Sequence, residues 1–384
     1  MKVFNRQRKS FFVLSMVLLL SLFFAACGSA NTGNGSSTPT TSGNNGKGCM
    51  KIGVLLPETA TSARWDGKDK PALLQDIPAT LSGAHVDYNN AQGSADTQQT
   101  QAEADLTNGD CILVVAPSDS QKSAAIVASA KAKGVPVISY DRLIYSNDLN
   151  YYVSFDNTAV GQLQGQYVAD HYTNYTKTSK NLVMINGSQT DNNALLFSKG
   201  AHIPIDPLIA SGALKKVYEK FTPNWDNPTA QTEMEAALTA NADSVAVAYV
   251  ANDGMANSVI AALKTHHLNK KVLVTGQDAT VAGIQNILTG DQGMTVYKAI
   301  SKEAQATADL VAAISKGTDT GTATQGKTTT VPVSGGAPIP SVLETPVAVD
   351  KTNIASTVLA DGYVTKSDIC TGLPAGTNTN GICP

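Results

Sequence analysis

Apolar positions in this chain come in short unbroken blocks. Six of them, KIGVLLP at 51–57, ILVVAP at 112–117, VPVISY at 135–140, LVMING at 182–187, VAVAYV at 245–250 and VLVTG at 272–276, are rich in β-branched residues. A run of this length without polar alternation predicts a strand buried on both faces. Between the blocks, apolar residues recur at three- and four-residue spacing, as in SAAIVASAKAKG at 123–134, AVGQLQGQYVADHY at 159–172 and ANSVIAALKTHH at 256–267. Strands alternating with helices imply parallel sheets covered by helices on both faces.

The body from about residue 49 onward is long enough for two such domains. Strand–helix units fill 49–155 and again 158–296. A further helix, SKEAQATADLVAAISKG at 301–317, follows the strand-like TVYK, and the tail from 339 reads as extended segments. The expected fold class is therefore α/β, with two doubly wound parallel-sheet lobes. Residues 49–157 plus 298–322 form the first lobe, and 158–297 plus 323–384 the second. The chain is expected to cross between them near Asp156–Thr158, near Tyr297–Lys298 and in the Gly/Thr-rich stretch 318–336.

Every block runs into a polar cluster: Arg64-Trp65, Ser118-Asp119, Asp141-Arg142, Asp191-Asn192-Asn193, Asn252-Asp253 and Gln277-Asp278. Open parallel sheets bind ligands beyond the carboxyl ends of their strands. Carboxylates accept, Arg and Lys donate, Asn does both, and a hydroxyl needs both kinds of partner. The set suits a neutral polyhydroxylated molecule, with an aromatic face for its C–H patches. Position alone leaves alternatives open. Asp278 and the Asn252-Asp253 pair each precede a helix, so capping competes with ligand binding. Asp191-Asn192-Asn193 exceeds what one cap needs. Asp141-Arg142 is the stronger signal, its bland alternative being a salt bridge. Trp225, in PNWDNP, reads by position as packing, and Lys298 as a solvated charge.

The first 26 residues predict an export signal: Lys2, Arg6, Arg8 and Lys9 precede an apolar stretch from Phe11 to Phe24 that is short for a membrane span. Ala25-Ala26-Cys27 resembles a bacterial lipobox, in which Cys27 would carry the lipid anchor. Residues 27–48 then form a Gly/Ser/Thr/Asn-rich tether reaching roughly 25 Å r.m.s.. Without the signal, 24 basic residues face 31 acidic ones, a balance of −7, which gives no sign of a nucleic-acid surface. Export permits disulfides. Cys49 precedes the first strand and Cys111 starts the third, neighbours in a 2-1-3-4-5 sheet, while Cys370 and Cys383 bound a C-terminal loop. Cys49–Cys111 with Cys370–Cys383 is one of three possible connectivities.

Catalytic signatures are missing. GTATQGKT at 321–328 fits the phosphate-loop pattern, but a helix precedes it and the β-branched TTTVPVSGGAP follows, so no helix N-terminus is available for phosphate. No G-x-S-x-G, no calcium loop and no dinucleotide fingerprint after the first strand occur. The five histidines lack metal-ligand spacing. Neither a cofactor nor a metal is expected.

The ordered series ISYDRL, YYVSFDN, TDNNALLFSKG, ANDGMANSVIAAL, TGQDATVAGIQNI and MTVYK closely resembles the D-xylose-binding components of bacterial sugar ABC importers. These belong to the ribose/xylose branch of the type I periplasmic binding proteins, and the similarity spans roughly residues 50–369. The resemblance implies two lobes joined by a three-strand hinge and closing over one monosaccharide. Its sugar contacts would fall on Arg64, Asp141 and Arg142 of the first lobe and on Asp191, Asn193, Trp225, Asn252 and Asp278 of the second. Lys298 matches the crossover-strand lysine and Trp65 an aromatic beside the cleft. DGKDKPALL after Trp65 departs from the family's charged run, Ala299 stands where a proline is usual, and the Cys370–Cys383 tail is an addition. The implied protein is a monomeric, lipid-anchored receptor outside the cytoplasmic membrane. It would bind D-xylose or a related pentose or hexose, deliver it to an ABC transporter permease, and not be an enzyme. The rival readings are a same-fold receptor serving chemotaxis or sensing, and a carbohydrate-active enzyme.

Overall fold

The computed structural model describes residues 45–332 and 335–383; the expected signal, Cys27 and most of the tether lie outside them. Strands β1 (Lys51–Leu56), β2 (His85–Asn90), β3 (Ile112–Val115), β4 (Val137–Tyr140) and β5 (Tyr151–Phe155) build the first lobe. In the second come β6 (Asn181–Asn186), β7 (Lys215–Phe221), β8 (Val247–Val250), β9 (Leu273–Val274) and β10 (Met294–Tyr297), followed along the chain by β11 (Thr328–Thr330), β12 (Pro338–Glu344) and β13 (Val347–Asp350). The first sheet runs β11-β12-β5-β4-β3-β1-β2 and the second β7-β6-β8-β9, with β10 and β13 as an antiparallel pair. Backbone bonds from Gly293 to Val274 (2.8 Å) and from Val296 to Gly276 (3.1 Å) set β10 beside the end of β9. Wherever a block was continuously apolar, as in β3, β4 and β8, the strand is buried along its whole length.

The pairing departs from the expected partition in one place. Residues 323–344 do not join the second lobe. β12 lies parallel to β5, with Ser341 opposite Tyr152 and Leu343 opposite Ser154, and β11 folds back on β12. The otherwise open edge of β5 gives Ile339 and Val342 a place to bury. The third crossing therefore falls at Thr345–Pro346, between β12 and β13, and not in 318–336. Within GTATQGKT, a short helix (Thr320–Ala323) leads into β11, so no helix begins where a phosphate loop requires one.

Two disulfides brace this frame: Cys49–Cys111 ties the start of β1 to β3, and Cys370–Cys383 closes a loop at the C-terminus. Helices Asn157–His171 and Asn192–Ala210 pack closely because glycine meets backbone at their crossing. A Cβ on Gly161 would stand 1.9 Å from the Phe197 carbonyl oxygen. That crossing sets the depth of the helix that carries Asn193 and Phe197.

Candidate functional site

Seven separate segments deliver side chains to one place. Arg64 and Trp65 come from the loop after β1, Asp141 and Arg142 follow β4, and Asp191 and Asn193 follow β6. Trp225 follows β7, Asn252 follows β8, Asp278 follows β9 and Lys298 follows β10. All ten line a single small cavity. None of the ten is more than 7 % exposed, so the cleft is shut over them.

Three of these residues stand in the left-handed region, which non-glycine residues seldom adopt: Asp141 (φ 55°), Trp225 (φ 58°) and Asp278 (φ 95°). Such strain is held only where surrounding structure over-determines it, and it collects at functional sites.

In the first lobe, Arg64 is the hub of a buried ionic cluster. Its Nε and Nη2 donate to Asp69 (2.9 and 2.6 Å), its Nη1 to Asp141 (2.7 Å) and its Nη2 also to Glu303 (3.2 Å). Four of its five donors are thereby used. Burial pushes the Asp141 carboxyl up, but the Arg64, Lys298 and Arg142 cations prevail and hold it at about 2. Burial dominates at Glu303 and, with the Asp141 charge, raises its carboxyl well above the ordinary range despite Arg64. Arg142 is less committed. Its Nε pairs with Asp191 (2.9 Å) and its Nη1 reaches the Pro117 carbonyl (3.4 Å). Both guanidinium groups lie over the Trp65 ring, at 4.6 Å for Arg64 and 5.1 Å for Arg142.

The second lobe settles which strand-end residues are caps. Asp191 caps its helix through the Asn193 N–H (2.9 Å), and its other oxygen accepts from Arg142 and from Trp225 Nε1 (3.1 Å). Asn252 caps through the Met255 N–H (2.9 Å) while also bordering the cavity. Asp278 caps nothing, because Thr280 caps the helix Val281–Thr289 through the Gly283 N–H (3.0 Å). Instead, Asp278 Oδ1 faces the Lys298 ammonium at 3.3 Å, and that ammonium lies 3.6 Å from Asp141. Lys298 is thus a buried charge shared by two carboxylates, contrary to its reading by position as a solvated one.

Trp225 is placed by the smallest residue in the site. A Cβ on Gly187 would lie 2.1 Å from the indole, so only glycine leaves room for it there. Phe197 meets the indole edge-on at 6.3 Å between centroids. Across the cleft, Asn193 Nδ2 donates to the Asp141 carboxylate and carbonyl (both 3.1 Å), Ser120 N–H to the Thr190 carbonyl (2.8 Å) and Tyr145 to Asn192 (3.1 Å).

Three residues that line the cavity carry a buried atom with no hydrogen-bond partner among the described residues: Thr61 Oγ1, Trp65 Nε1 and Gln277 Oε1. They include donors and acceptors, and each costs about 1–3 kcal/mol if left unsatisfied. Thr61, Ser62 and Phe197 line the cavity without having been expected to, and Gln277, one of the strand-end polar residues that the resemblance left unassigned, lines it too. Phe197 was within reach of pattern, since it sits one helical turn from Asn193 on the same face. Thr61 and Ser62 lie in a loop with no periodic signal. Ser118 and Asp119 do not line this cavity; Asp119 binds the Gln121 and Lys122 N–H groups (2.8 and 2.9 Å).

Residues 75–319 match the family described as periplasmic binding protein domain. The chain is 36% identical to a D-xylose-binding periplasmic protein of Haemophilus influenzae and 35% identical to that of Escherichia coli, covering 83% of this chain and 92% of each relative. Among solved structures, it is similar to an ABC transporter solute-binding protein of Clostridium phytofermentans with bound β-D-glucose. The TM-score is 0.73 at 30% identity, over 83% of this chain and 99% of that one. A carbohydrate transporter solute-binding protein of Chloroflexus aurantiacus in complex with D-glucose gives a TM-score of 0.72 at 30% identity, over 84% and 98%. Strand order, the enclosed polar cavity and these likenesses agree: the chain belongs to the periplasmic binding protein family, among its type I sugar-binding members.

Proposed function

We propose that this protein captures D-xylose, or a closely related monosaccharide, outside the cytoplasmic membrane and presents it in the closed form to an ABC transporter permease. The carrying observation is one small cavity lined by carboxylates, amides, hydroxyls, cations and two indoles, whose lining residues include buried donors and acceptors with no partner among the described residues. Hydroxyl groups are donor and acceptor at once, and satisfy both kinds. The ionic groups argue for a neutral ligand. Arg64, Arg142 and Lys298 are already engaged by Asp69, Asp141, Asp191, Asp278 and Glu303, which leaves no surplus positive charge for a phosphate or an acid.

The site sorts into scaffold and reach. Arg64, Asp141, Asp191 and Asn193 spend most of their hydrogen bonds on protein. Arg142, Asn252, Asp278 and Lys298 keep capacity for hydroxyls, with Trp65 and Trp225 for the ring faces. A micromolar Kd is about −8.2 kcal/mol. Half a dozen bonds to charged groups at roughly 1.5–3 kcal/mol each reach that after the cost of closure and immobilisation. Because closure depends on ligand, a permease can tell loaded receptor from empty.

Binding without turnover is the reading the chemistry favours. A glycosidase needs one carboxyl kept protonated near neutral pH. Asp141, held at about 2, stays ionised, and it shares one ammonium with Asp278. Cys27 is proposed as a lipid anchor, which mass spectrometry of the mature N-terminus tests. Calorimetry against D-xylose, ribose, arabinose, glucose and galactose tests the rest. D-xylose is expected to bind tightest, and no heat with any of the five refutes the assignment.

A further inference from the structure

We propose that Tyr363, in the C-terminal segment that leads into the Cys370–Cys383 loop, is a positioning residue for the Asp278 carboxylate and the point on which the first lobe latches when the cleft closes. The inference rests on the sugar-binding reading of the site. The segment after β13 has a core of its own. Ile354, Val358, Val364 and Ile369 pack with Ile284, Ile287 and Leu288 of the helix that begins just after Asp278. Gln285 Nε2 on that helix donates to the carbonyls of Asp368, Ile369 and Thr371, the last at 2.8 Å, which clamps the Cys370–Cys383 loop in place.

From this platform Tyr363 makes three contacts that no other side chain combines among the described residues. Its hydroxyl donates to the Asp278 carbonyl at 3.1 Å. Its ring packs against Tyr297, 4.9 Å between centroids, directly before Lys298. From the opposite lobe, Lys68 donates to the Tyr363 carbonyl and holds its ammonium 4.8 Å from the ring centroid. Asp278 needs such support. At φ 95° it sits where side chains rarely settle, and its peptide is fixed by two bonds, its own N–H to Val296 (2.8 Å) and the Tyr363 hydroxyl to its carbonyl. Closure brings Lys68 onto the residue that holds the carboxylate's backbone. Lobe approach and the aim of Asp278 are thereby coupled through one phenol.

The test uses the full chain and stopped-flow fluorescence with D-xylose. Both tryptophans of the chain, Trp65 and Trp225, line the cavity and report binding. Tyr363→Phe keeps the ring and the Lys68 contact but removes the hydroxyl; one lost hydrogen bond predicts a koff about 3- to 10-fold higher, with kon within about twofold. Lys68→Met, on the cleft rim and away from the cavity, is expected to raise koff likewise, and remains readable if Tyr363→Phe folds poorly. Combining Tyr363→Phe with Asp278→Asn should cost less than the product of the single effects, because the two act through one group. Unchanged koff in both single variants, or independent effects in the double variant, overturns the inference. Failure of the unsubstituted protein to bind any monosaccharide overturns the sugar reading and this inference with it. Binding by the unsubstituted protein with unaffected variants overturns this inference alone.

Discussion

Removing the Asp278 side chain separates a binding role from a structural one. Its position before a helix fits a cap, yet Thr280 holds the Gly283 N–H at 3.0 Å, so the helix start does not depend on Asp278. Its Oδ1 is buried without a hydrogen bond, and only the Lys298 ammonium, 3.3 Å away, offsets its charge. If Asp278 accepts from sugar hydroxyls, Asp278→Ala should lose roughly 1.5–3 kcal/mol of affinity, about 10- to 150-fold in Kd. Asp278→Asn keeps the shape, tolerates the left-handed backbone and turns charged bonds into neutral ones, so it should lose only about 1–1.5 kcal/mol. Folding stability should respond less simply. Alanine removes one of two carboxylates near Lys298, but Asp141 remains at 3.6 Å to keep the ammonium paired. Calorimetry with D-xylose gives the affinities, and thermal unfolding without sugar gives the stabilities. The expected order of affinity is wild type, then Asn, then Ala. An Ala variant binding within about twofold of wild type but unfolding at a lower temperature would refute the reasoning, and would make Asp278 a structural residue.

Three further outcomes are expected. Gly187→Ala puts a methyl 2.1 Å from the Trp225 indole and should displace it, with an affinity loss of about tenfold or more and a changed tryptophan emission spectrum; an unaltered titration contradicts this. Cys49–Cys111 spans 62 residues and Cys370–Cys383 spans 13, so urea unfolding of the serine variants should show losses of about 4 and about 3 kcal/mol; equal stability of oxidised and reduced protein counts against both bridges. Asp141 has a folded pKa of about 2, below its unfolded value of roughly 3.9. The unfolded state therefore takes up the proton first, and the contribution of about 2–3 kcal/mol is present above pH ~4 and lost as pH falls towards 2. The stability gap between wild type and Asp141→Asn should accordingly narrow over that window, and a gap that stays constant speaks against the ionic account.

The legible parts of the fold were the strands buried on both faces, because two-sided burial leaves a continuous apolar run. β2 (HVDYNN) and β7 (KKVYEKF), at sheet edges and only partly buried, left no such run. The third crossing was misplaced because composition marks 318–336 as loop-like, whereas the partner of β12 is decided by the open edge of β5, a long-range pairing that local pattern does not carry. The site was legible as a set of strand-end polar residues but not as roles. Whether Asp278 caps depends on a competitor two residues on, and Asp191 and Asn252 both cap and line the cavity. Lys298 looked like a solvated charge even though a lobe crossing was expected there, because nothing local announces that Asp141 and Asp278 converge on its ammonium. The resemblance to the family supplied Trp225 and Lys298, and the geometry shows why each sits where it does.

The most direct measurement is a crystal structure of the protein soaked or grown with D-xylose. One pyranose ring is expected in the cavity between Trp65 and Trp225, with hydroxyls within about 3 Å of Asp278, Arg142 and Lys298. An empty cavity at saturating sugar, or a sugar bound only in the outer cleft beside Tyr363, would contradict the account.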